Sequence, residues 1–210
     1  MMKIETLASQ PDRAGRHAVR FSDGTAMRLY RQTVEDFGLY AGMELDEAQL
    51  QNLKTAAGQM SAKMRAVRIV AASSVSKQDL QRRLVQKGEN PDQARQAVEW
   101  MTELHLVDDR QTAQQIVQRC IQKGYGLARA KQALYEKRIP KEYWQEVLAE
   151  YPDQLDAIES YLRNHLKDAK DPKQLRKVID ALVRKGHNYS RIKQALNTLT
   201  VDTEDFPEDE

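Results

Sequence analysis

The chain has few of the residues from which disulfide-stabilised, membrane-spanning or aromatic-rich folds are built. Its single cysteine, Cys120, cannot form an internal disulfide. Aromatic residues make up only 6% of the sequence and charged residues 30%, a composition that is lean for one large hydrophobic core. Apolar runs are only a few residues long, and residues 1–5 do not begin a hydrophobic signal region. We therefore expect a cytoplasmic protein that does not enter a membrane.

No motif for catalysis or cofactor binding stands out, since segment 123–126 (Lys-Gly-Tyr-Gly) lacks the Walker pattern and follows no predicted strand. Asp108 and Asp109 could in principle bind a metal, but such carboxylates are more typical of a helix start, where they accept free N–H groups. Cys120 lies in a stripe of apolar residues, where a small buried side chain is expected. The four histidines lie far apart in the sequence: His17, His105, His165 and His187. The sequence thus predicts a protein that is not an enzyme and needs no cofactor or metal.

What the chain does contain is a weak internal repeat of about fifty residues. Its markers are three similar segments, each running from a leucine through a basic residue to glycine or arginine: Leu84–Gly88, Leu134–Arg138 and Leu182–Gly186. The three leucines are 50 and 48 residues apart, which indicates one module that occurs three times. Ten residues after each marker an apolar residue recurs on the next helical pattern: Val98, Leu148 and Leu196. We interpret the core of the module as two helices joined by a tight turn.

Each module also needs a third helix, because two amphipathic helices cannot cover both of their apolar faces. Upstream of the markers, apolar residues recur at helical spacing at about 60–72, 109–121 and 153–168. Helix starts are predicted where a side chain can accept free N–H groups: Ser76, Asn90 and Asp171. Helix ends are predicted where glycine fits the left-handed cap: Gly88, Gly124 and Gly186.

The first sixty residues have a different pattern. Short strands are predicted at 4–7, 17–21 and 25–30, the last two joined by a hairpin turn at Asp23-Gly24. Helices are predicted at 33–39 and 46–57, the second ending at Gly58. We therefore predict a mainly α protein, an elongated row of three tandem three-helix repeats behind a small N-terminal β-hairpin and helix extension. The predicted boundaries are 1–58 for the extension, 59–107, 108–151 and 152–200 for the repeats, and 201–210 for a disordered acidic tail.

The formal net charge of +2 hides a strong asymmetry. Residues 1–200 hold all 33 lysines and arginines, whereas six of the 31 acidic residues lie in the last ten positions. A basic body with an acidic tail is typical of proteins that meet nucleic acid or its binding partners. The basic residues that we predict to form the binding faces recur in the repeats: Arg82, Arg83, Lys87, Arg119, Lys123, Arg129, Lys131, Lys137, Arg138, Arg184 and Lys185. The alternative for each of them is ordinary solvated surface.

Two tryptophans, Trp100 and Trp144, could stack against nucleic-acid bases. Trp100 flanks the apolar stripe of its helix, so packing against the core is the favoured interpretation. For Trp144 the sequence leaves both interpretations open.

The central part of the chain resembles the RecX family, bacterial regulators of the RecA recombinase. The resemblance rests on Leu-Val-Asp-Asp at 106–109 with Ala113 following, Lys-Gly-Tyr-Gly at 123–126, and Ala-Lys-Gln-Ala-Leu-Tyr-Glu-Lys at 130–137. It extends over the three predicted repeats, and residues 37–45 are similar to the N-terminal extension of longer members. Three positions depart from the family pattern, where glycine, an aromatic residue and Lys-Gly are usual: His105, Thr112 and Arg138.

The resemblance implies a monomeric helical-repeat protein that lies in the groove of the RecA–DNA filament and lowers ATP hydrolysis and strand exchange. It places the protein in DNA recombination, DNA repair and the SOS response, with weak, non-specific binding to single- and double-stranded DNA. An extended basic surface of repeated modules also suits a partner that is long, repetitive and charged. The alternative is a sequence-indifferent DNA-binding helical protein that acts without RecA.

Overall fold

The computed structural model describes residues 1–167 and 171–204, and for 200–204 it describes the backbone alone. It divides into two compact units, Met1–Val107 and Asp108–Glu210. Ten α-helices and a small antiparallel sheet lie in the described part, which confirms the prediction of a mainly α protein with an N-terminal β extension. Within those same residues, no helix is both long enough and apolar enough to cross a bilayer.

The first unit begins with a four-stranded antiparallel sheet in the order β3-β2-β1-β4. The strands are β1 (Met2–Leu7), β2 (Arg16–Phe21), β3 (Ala26–Tyr30) and β4 (Glu44–Leu45). The hairpin predicted at Asp23-Gly24 is confirmed, since Gly24 has a φ of +82° between β2 and β3. The sequence missed β4, because a two-residue strand is too short to show an alternating pattern. Helix α1 (Arg31–Asp36) follows β3, and the sheet packs its apolar face onto Leu53 of the next helix.

Helix α2 (Glu47–Ala72) corrects the prediction of a helix end at Gly58. Asp46 caps its start, where the Asp46 side chain accepts the Gln49 N–H and the Gln49 side chain accepts the Asp46 N–H. Gly58 lies inside the helix, and a Cβ there would overlap the side chain of Gln93. The glycine therefore allows a close approach rather than a helix end. The predicted boundary between residues 58 and 59 falls inside one continuous helix.

The first repeat pairs the second half of α2 with α3 (Lys77–Gln86) and α4 (Pro91–Glu103). The predicted caps are confirmed, because Ser76 accepts the Asp79 N–H and Asn90 accepts the N–H groups of Asp92 and Gln93. Pro91 occupies the first turn of α4. The three helices bury one hydrophobic cluster: Ala62, Ala66, Val75, Leu80, Leu84, Ala94, Ala97, Val98, Met101 and Val107.

The second unit starts with α5 (Asp109–Gln122) and α6 (Leu127–Glu136), followed by a 3₁₀ turn (Lys141–Tyr143) and the short α7 (Trp144–Leu148). Asp108 caps α5 through the Gln111 N–H at 2.9 Å, as the helix-start interpretation predicted. Cys120 is 5% exposed within the hydrophobic cluster of these helices, and burial raises the pKa of its thiol. Both observations support structural roles for these residues.

The third repeat contains α8 (Leu155–His165), α9 (Pro172–Arg184) and α10 (Tyr189–Glu204). Asp171 caps α9 by accepting the Lys173 N–H at 2.9 Å, which confirms the predicted start. Their cluster is built from Ile158, Leu162, Val178, Leu182, Ile192 and Ala195. Helix α10 continues through Glu204, so the tail predicted to be disordered from 201 begins as helix. The rest of the predicted tail, 205–210, and the end of the predicted helix 153–168 lie outside the described residues.

Candidate functional site

The three marker segments form the same turn. Leu84, Leu134 and Leu182 are fully buried. The carbonyl oxygen of each leucine accepts the backbone N–H of the residue five positions later, at 3.0 to 3.1 Å. This bond closes the left-handed cap that ends a helix. The repeat read from the sequence is therefore a repeat of backbone geometry.

The left-handed position of this turn is not always glycine. Gly88 and Gly186 adopt φ values of +90° and +88°, and Arg138 adopts +55° at the equivalent position of the second repeat. His105, at the end of α4, also has a φ of +55°. Two of the three departures from the family pattern thus lie where the backbone favours glycine, and a side chain with a Cβ costs about 1–2 kcal/mol there.

The residue after the left-handed position is buried in every repeat, but its chemistry differs. Glu89 is 8%, Ile139 4% and His187 6% exposed. Ile139 joins the hydrophobic cluster of the second repeat. Glu89 instead pairs with Arg65 of α2, with 2.6 Å between the carboxylate oxygen and Nε. The side chain at this position therefore determines which other residues each turn contacts.

In the third repeat, this position contacts the second repeat. The His187 ring Nε2 lies 3.0 Å from the carbonyl oxygen of Gly124, so Nε2 donates a hydrogen bond there and Nδ1 is left as a buried acceptor with no partner among the described residues. Burial lowers the pKa of His187, the Gly124 hydrogen bond opposes that effect, and the charge of Lys185 adds to it. Gly126 donates its N–H to the Lys185 carbonyl at 2.9 Å. Burial and Lys185 thus favour the neutral form of the His187 ring at this junction.

Glycine makes the junction possible. A Cβ at Gly126 would overlap the backbone carbonyl of Gly186, and a Cβ at Gly186 would overlap the backbone of Arg129. Tyr151 is partly buried in the same unit. Its hydroxyl donates a hydrogen bond to the Tyr125 carbonyl oxygen at 2.7 Å, and burial raises the pKa of Tyr151 to about 12. Sequence reasoning identified Gly186 as a helix end, gave Gly126 no structural role and missed the contact, because the sequence does not show which backbone lies opposite.

Some of the basic residues predicted for the binding faces have their charges compensated inside the repeats. Arg82 and Arg83 both contact Asp79, at 2.6 and 2.8 Å, and the Asp79 side chain is only 2% exposed. Burial opposes ionisation of Asp79, but the two guanidinium groups outweigh it and hold the pKa of that carboxyl below its ordinary value. Arg129 lies 3.5 Å from Glu136. These side chains have structural partners within their own repeats.

Two further members of the predicted set are half-buried. The Lys185 ammonium lies 4.3 Å from the centre of the Tyr161 ring, a cation–π contact within the third repeat. Lys137 is half-buried at the end of α6.

The remaining members of the predicted set are exposed, and none forms an ion pair with a carboxylate in the part of the chain that the structure describes: Lys87, Arg119, Lys123, Lys131, Arg138 and Arg184. Lys87 lies in the first unit and the others lie in the second. These six are the cations best able to meet phosphates or acidic side chains.

The tryptophans have structural contacts. Trp100 packs against the cluster of the first repeat, and the Lys63 ammonium lies 5.2 Å from the centre of its ring. Trp144 donates its indole N–H to the Ile139 carbonyl at 3.1 Å. Across 1–167 and 171–204, no three histidine, cysteine, aspartate or glutamate side chains are grouped so that they could hold a metal ion.

Comparison with known proteins identifies the second repeat. Residues 108–148 match the family model of the RecX second three-helix domain. The chain is 26% identical over 147 residues to regulatory protein RecX of Vibrio parahaemolyticus serotype O3:K6, covering 69% of this chain and 95% of that protein. It is also 26% identical over 205 residues to regulatory protein RecX of Clostridioides difficile strain 630, covering 94% of both chains.

Solved structures show the same fold. A crystal structure of regulatory protein RecX superposes with a TM-score of 0.63 at 21% identity, covering 92% of this chain and all of that one. The crystal structure of RecX from Lactobacillus salivarius superposes with a TM-score of 0.57 at 17% identity, covering 70% of this chain and 99% of that one. The matched second domain and the similar relatives lead to one conclusion: residues 108–148 form a RecX second three-helix domain, within a chain that is similar to a RecX regulatory protein over 94% of its length.

Proposed function

We propose that the protein binds the RecA–DNA filament in its groove and lowers RecA ATP hydrolysis and strand exchange. The observation that carries this proposal is the match of residues 108–148 to the RecX second domain. That segment also holds four of the exposed cations without a described ion pair: Arg119, Lys123, Lys131 and Arg138. The same module thus carries the family likeness and a large share of the accessible positive charge.

The physical argument concerns repetition. Three modules with the same turn present related surfaces, and a filament presents related sites at regular spacing. Once one module is bound, the next binds at a high local concentration, so weak individual contacts add to a useful affinity. Exposed cations contribute mainly by steering the protein to its acidic partner and fixing its register.

The first experiment is a titration of RecA ATPase activity on single-stranded DNA. We expect sub-stoichiometric to equimolar protein to slow both ATP hydrolysis and strand exchange. Unchanged rates at equimolar protein, in an assay where a known RecA inhibitor works, would contradict the proposal.

A charge-reversal variant tests which surface is used. The variant replaces Arg119, Lys123, Lys131 and Arg138 by glutamate, and we expect it to need at least tenfold more protein for half-maximal inhibition. The matched control makes the same change in net charge at four exposed residues outside the predicted set: Lys3, Arg20, Lys54 and Lys193. Equal loss of inhibition in both variants would show that only net charge matters, and no loss in either would show that these faces are solvated surface.

The second candidate function is sequence-indifferent DNA binding without RecA, which the exposed cations also favour. For about four phosphate contacts on single-stranded DNA, the logarithm of the association constant should fall with the logarithm of the salt concentration at a slope of roughly −3. Binding that shows this slope while RecA activity stays unaffected would favour this candidate. A slope near zero would remove DNA contact from both functions.

A further inference from the structure

A cleft of about 570 Å³ lies in the second unit, beside the first turn of α6 and along α7. It is lined by Leu127, Lys131, Lys141, Trp144, Gln145, Leu148 and Ala149. Two of these side chains are cationic, one is a neutral amide, and none is a carboxylate. The cleft is therefore an apolar surface with a positive rim.

The apolar part of the cleft is held in place. The bond from the Trp144 indole N–H to the Ile139 carbonyl fixes the ring, and Leu148 packs against the cluster beneath it. Leu127 is 40% exposed although it opens a helix whose inner residues Ala130 and Leu134 are fully buried. A fixed, water-exposed apolar surface can accept a large apolar side chain at little cost in ordering.

The charge beside the cleft is uncompensated. Neither Lys131 nor Lys141 forms an ion pair with a carboxylate among the residues that the structure describes. Gly126, the residue before α6, supplies no side-chain cap, and the first turn of α6 has no acidic residue. The positive end of the α6 dipole therefore adds to the field of the two ammonium groups.

We propose that this cleft binds an acidic peptide segment with one large apolar side chain. The apolar side chain lies against Trp144 and Leu148, and flanking carboxylates pair with Lys131 and Lys141. A nucleic-acid base fits less well, because Gln145 is the single side chain of the lining that can accept a hydrogen bond, and the N–H groups of a base edge would find few partners. This inference goes beyond the proposed function, since it needs neither RecA nor DNA.

The test is fluorescence anisotropy with the full chain and a fluorescein-labelled peptide, Glu-Asp-Glu-Leu-Asp-Glu, at low salt. We expect the same peptide with alanine for leucine to bind at least fivefold more weakly. Lys131→Glu and Lys141→Glu should each weaken the leucine peptide at least fivefold. Lys123→Glu is the matched control, because Lys123 is exposed in the same unit and does not line the cleft, and it should change binding less than twofold.

A second readout separates a peptide site from general attraction of anions. In a Trp100→Phe background the tryptophan fluorescence comes from Trp144, and the leucine peptide should shift it whereas the alanine peptide should not. Equal binding of both peptides, equal loss in the Lys123→Glu control, or full displacement by a twelve-residue oligothymidylate with no shift from the leucine peptide would each overturn the proposal. All of these results leave the RecA assay unaffected, so the two proposals can fail separately.

Discussion

The first and third repeats form the same turn but use the residue behind it differently. In the first repeat this residue is Glu89, whose carboxylate turns back to Arg65 and Ser61 of its own repeat. In the third repeat it is His187, whose ring reaches the Gly124 carbonyl of the second repeat. The backbone bond from the marker leucine is the same in both.

This difference shows how similar modules acquire different neighbours. A side chain that is satisfied within its own repeat adds no contact to another repeat, whereas one that reaches another repeat joins the two. The second and third repeats accordingly form one compact unit, Asp108–Glu210, and the first repeat shares a unit with the sheet. One position behind a repeated turn therefore makes its contact within one repeat in the first case and between two repeats in the other.

The largest effect should come from breaking the contact between the second and third repeats. Gly126→Ala places a methyl group on the Gly186 carbonyl, and we expect it to destabilise the second unit by about 3 kcal/mol. The measurement is urea unfolding, followed by Trp144 fluorescence in a Trp100→Phe background for this second-unit variant and by Trp100 fluorescence in a Trp144→Phe background for a first-unit variant. Gly88→Ala is the comparison, because open space surrounds Gly88 and only its φ of +90° resists a side chain, at about 1–2 kcal/mol. A smaller loss for Gly126→Ala than for Gly88→Ala would contradict the close contact.

The next effect concerns the ion pair of the first repeat. Glu89→Gln keeps the side-chain shape and removes the charge that Arg65 meets, which should cost about 2 kcal/mol because the Glu89 side chain is only 7% exposed. The control is Glu35→Gln, whose pair with Arg31 has the same 2.6 Å distance but is mostly exposed, so its removal should cost much less. Unfolding of both variants by urea, followed by circular dichroism, checks the difference. Equal costs would show that burial of the Glu89 carboxylate adds nothing.

A third prediction uses pH to loosen the junction at His187. Its pKa in the folded protein lies below the ordinary 6.5, so the unfolded chain binds a proton more readily. Stability from the neutral ring is complete above pH 6.5 and is lost as pH falls from there through the lower folded value. His187→Gln should flatten that part of the stability curve of the second unit. If parent and variant lose stability in parallel between pH 7 and 5, His187 does not contribute to the acid sensitivity.

The smallest effect should be a gain in stability. His105 and Arg138 adopt φ values of +55°, and glycine removes a cost of about 1–2 kcal/mol while adding about 0.5–1 kcal/mol of chain entropy in the unfolded state. We expect His105→Gly and Arg138→Gly each to stabilise the protein by about 0.5 kcal/mol, measured as a rise in the urea midpoint. A loss of stability in either variant would show that the side chain makes contacts worth more than the strain.

Much of the helical part could be predicted from local signals. Ser76, Asn90, Asp108 and Asp171 cap helices as their side-chain chemistry indicates, because such caps need only residues two or three positions away. The buried marker leucines followed from helical spacing. Gly58 was wrongly predicted to end a helix. The sequence does not distinguish a glycine that ends a helix from one that lets the Gln93 side chain of another helix approach closely. The basic faces were the least predictable, because Arg82 and Arg83 have the same charge as exposed cations but are paired with Asp79.

The sequence by itself determined the period, the helices, the caps and the repeated turn, because these depend on interactions within a few residues. Only the tertiary structure decided which glycines permit contact between helices, which cations keep their charge available and what His187 meets. The pair of Arg82 with Asp79 lies within one helix and depends on the burial of Asp79. The glycine and His187 contacts join distant parts of the chain, and the bond between His187 and Gly124 spans 63 positions. The spacing of residues along the sequence does not reveal such pairs, because the packing of several helices sets the distance between their atoms.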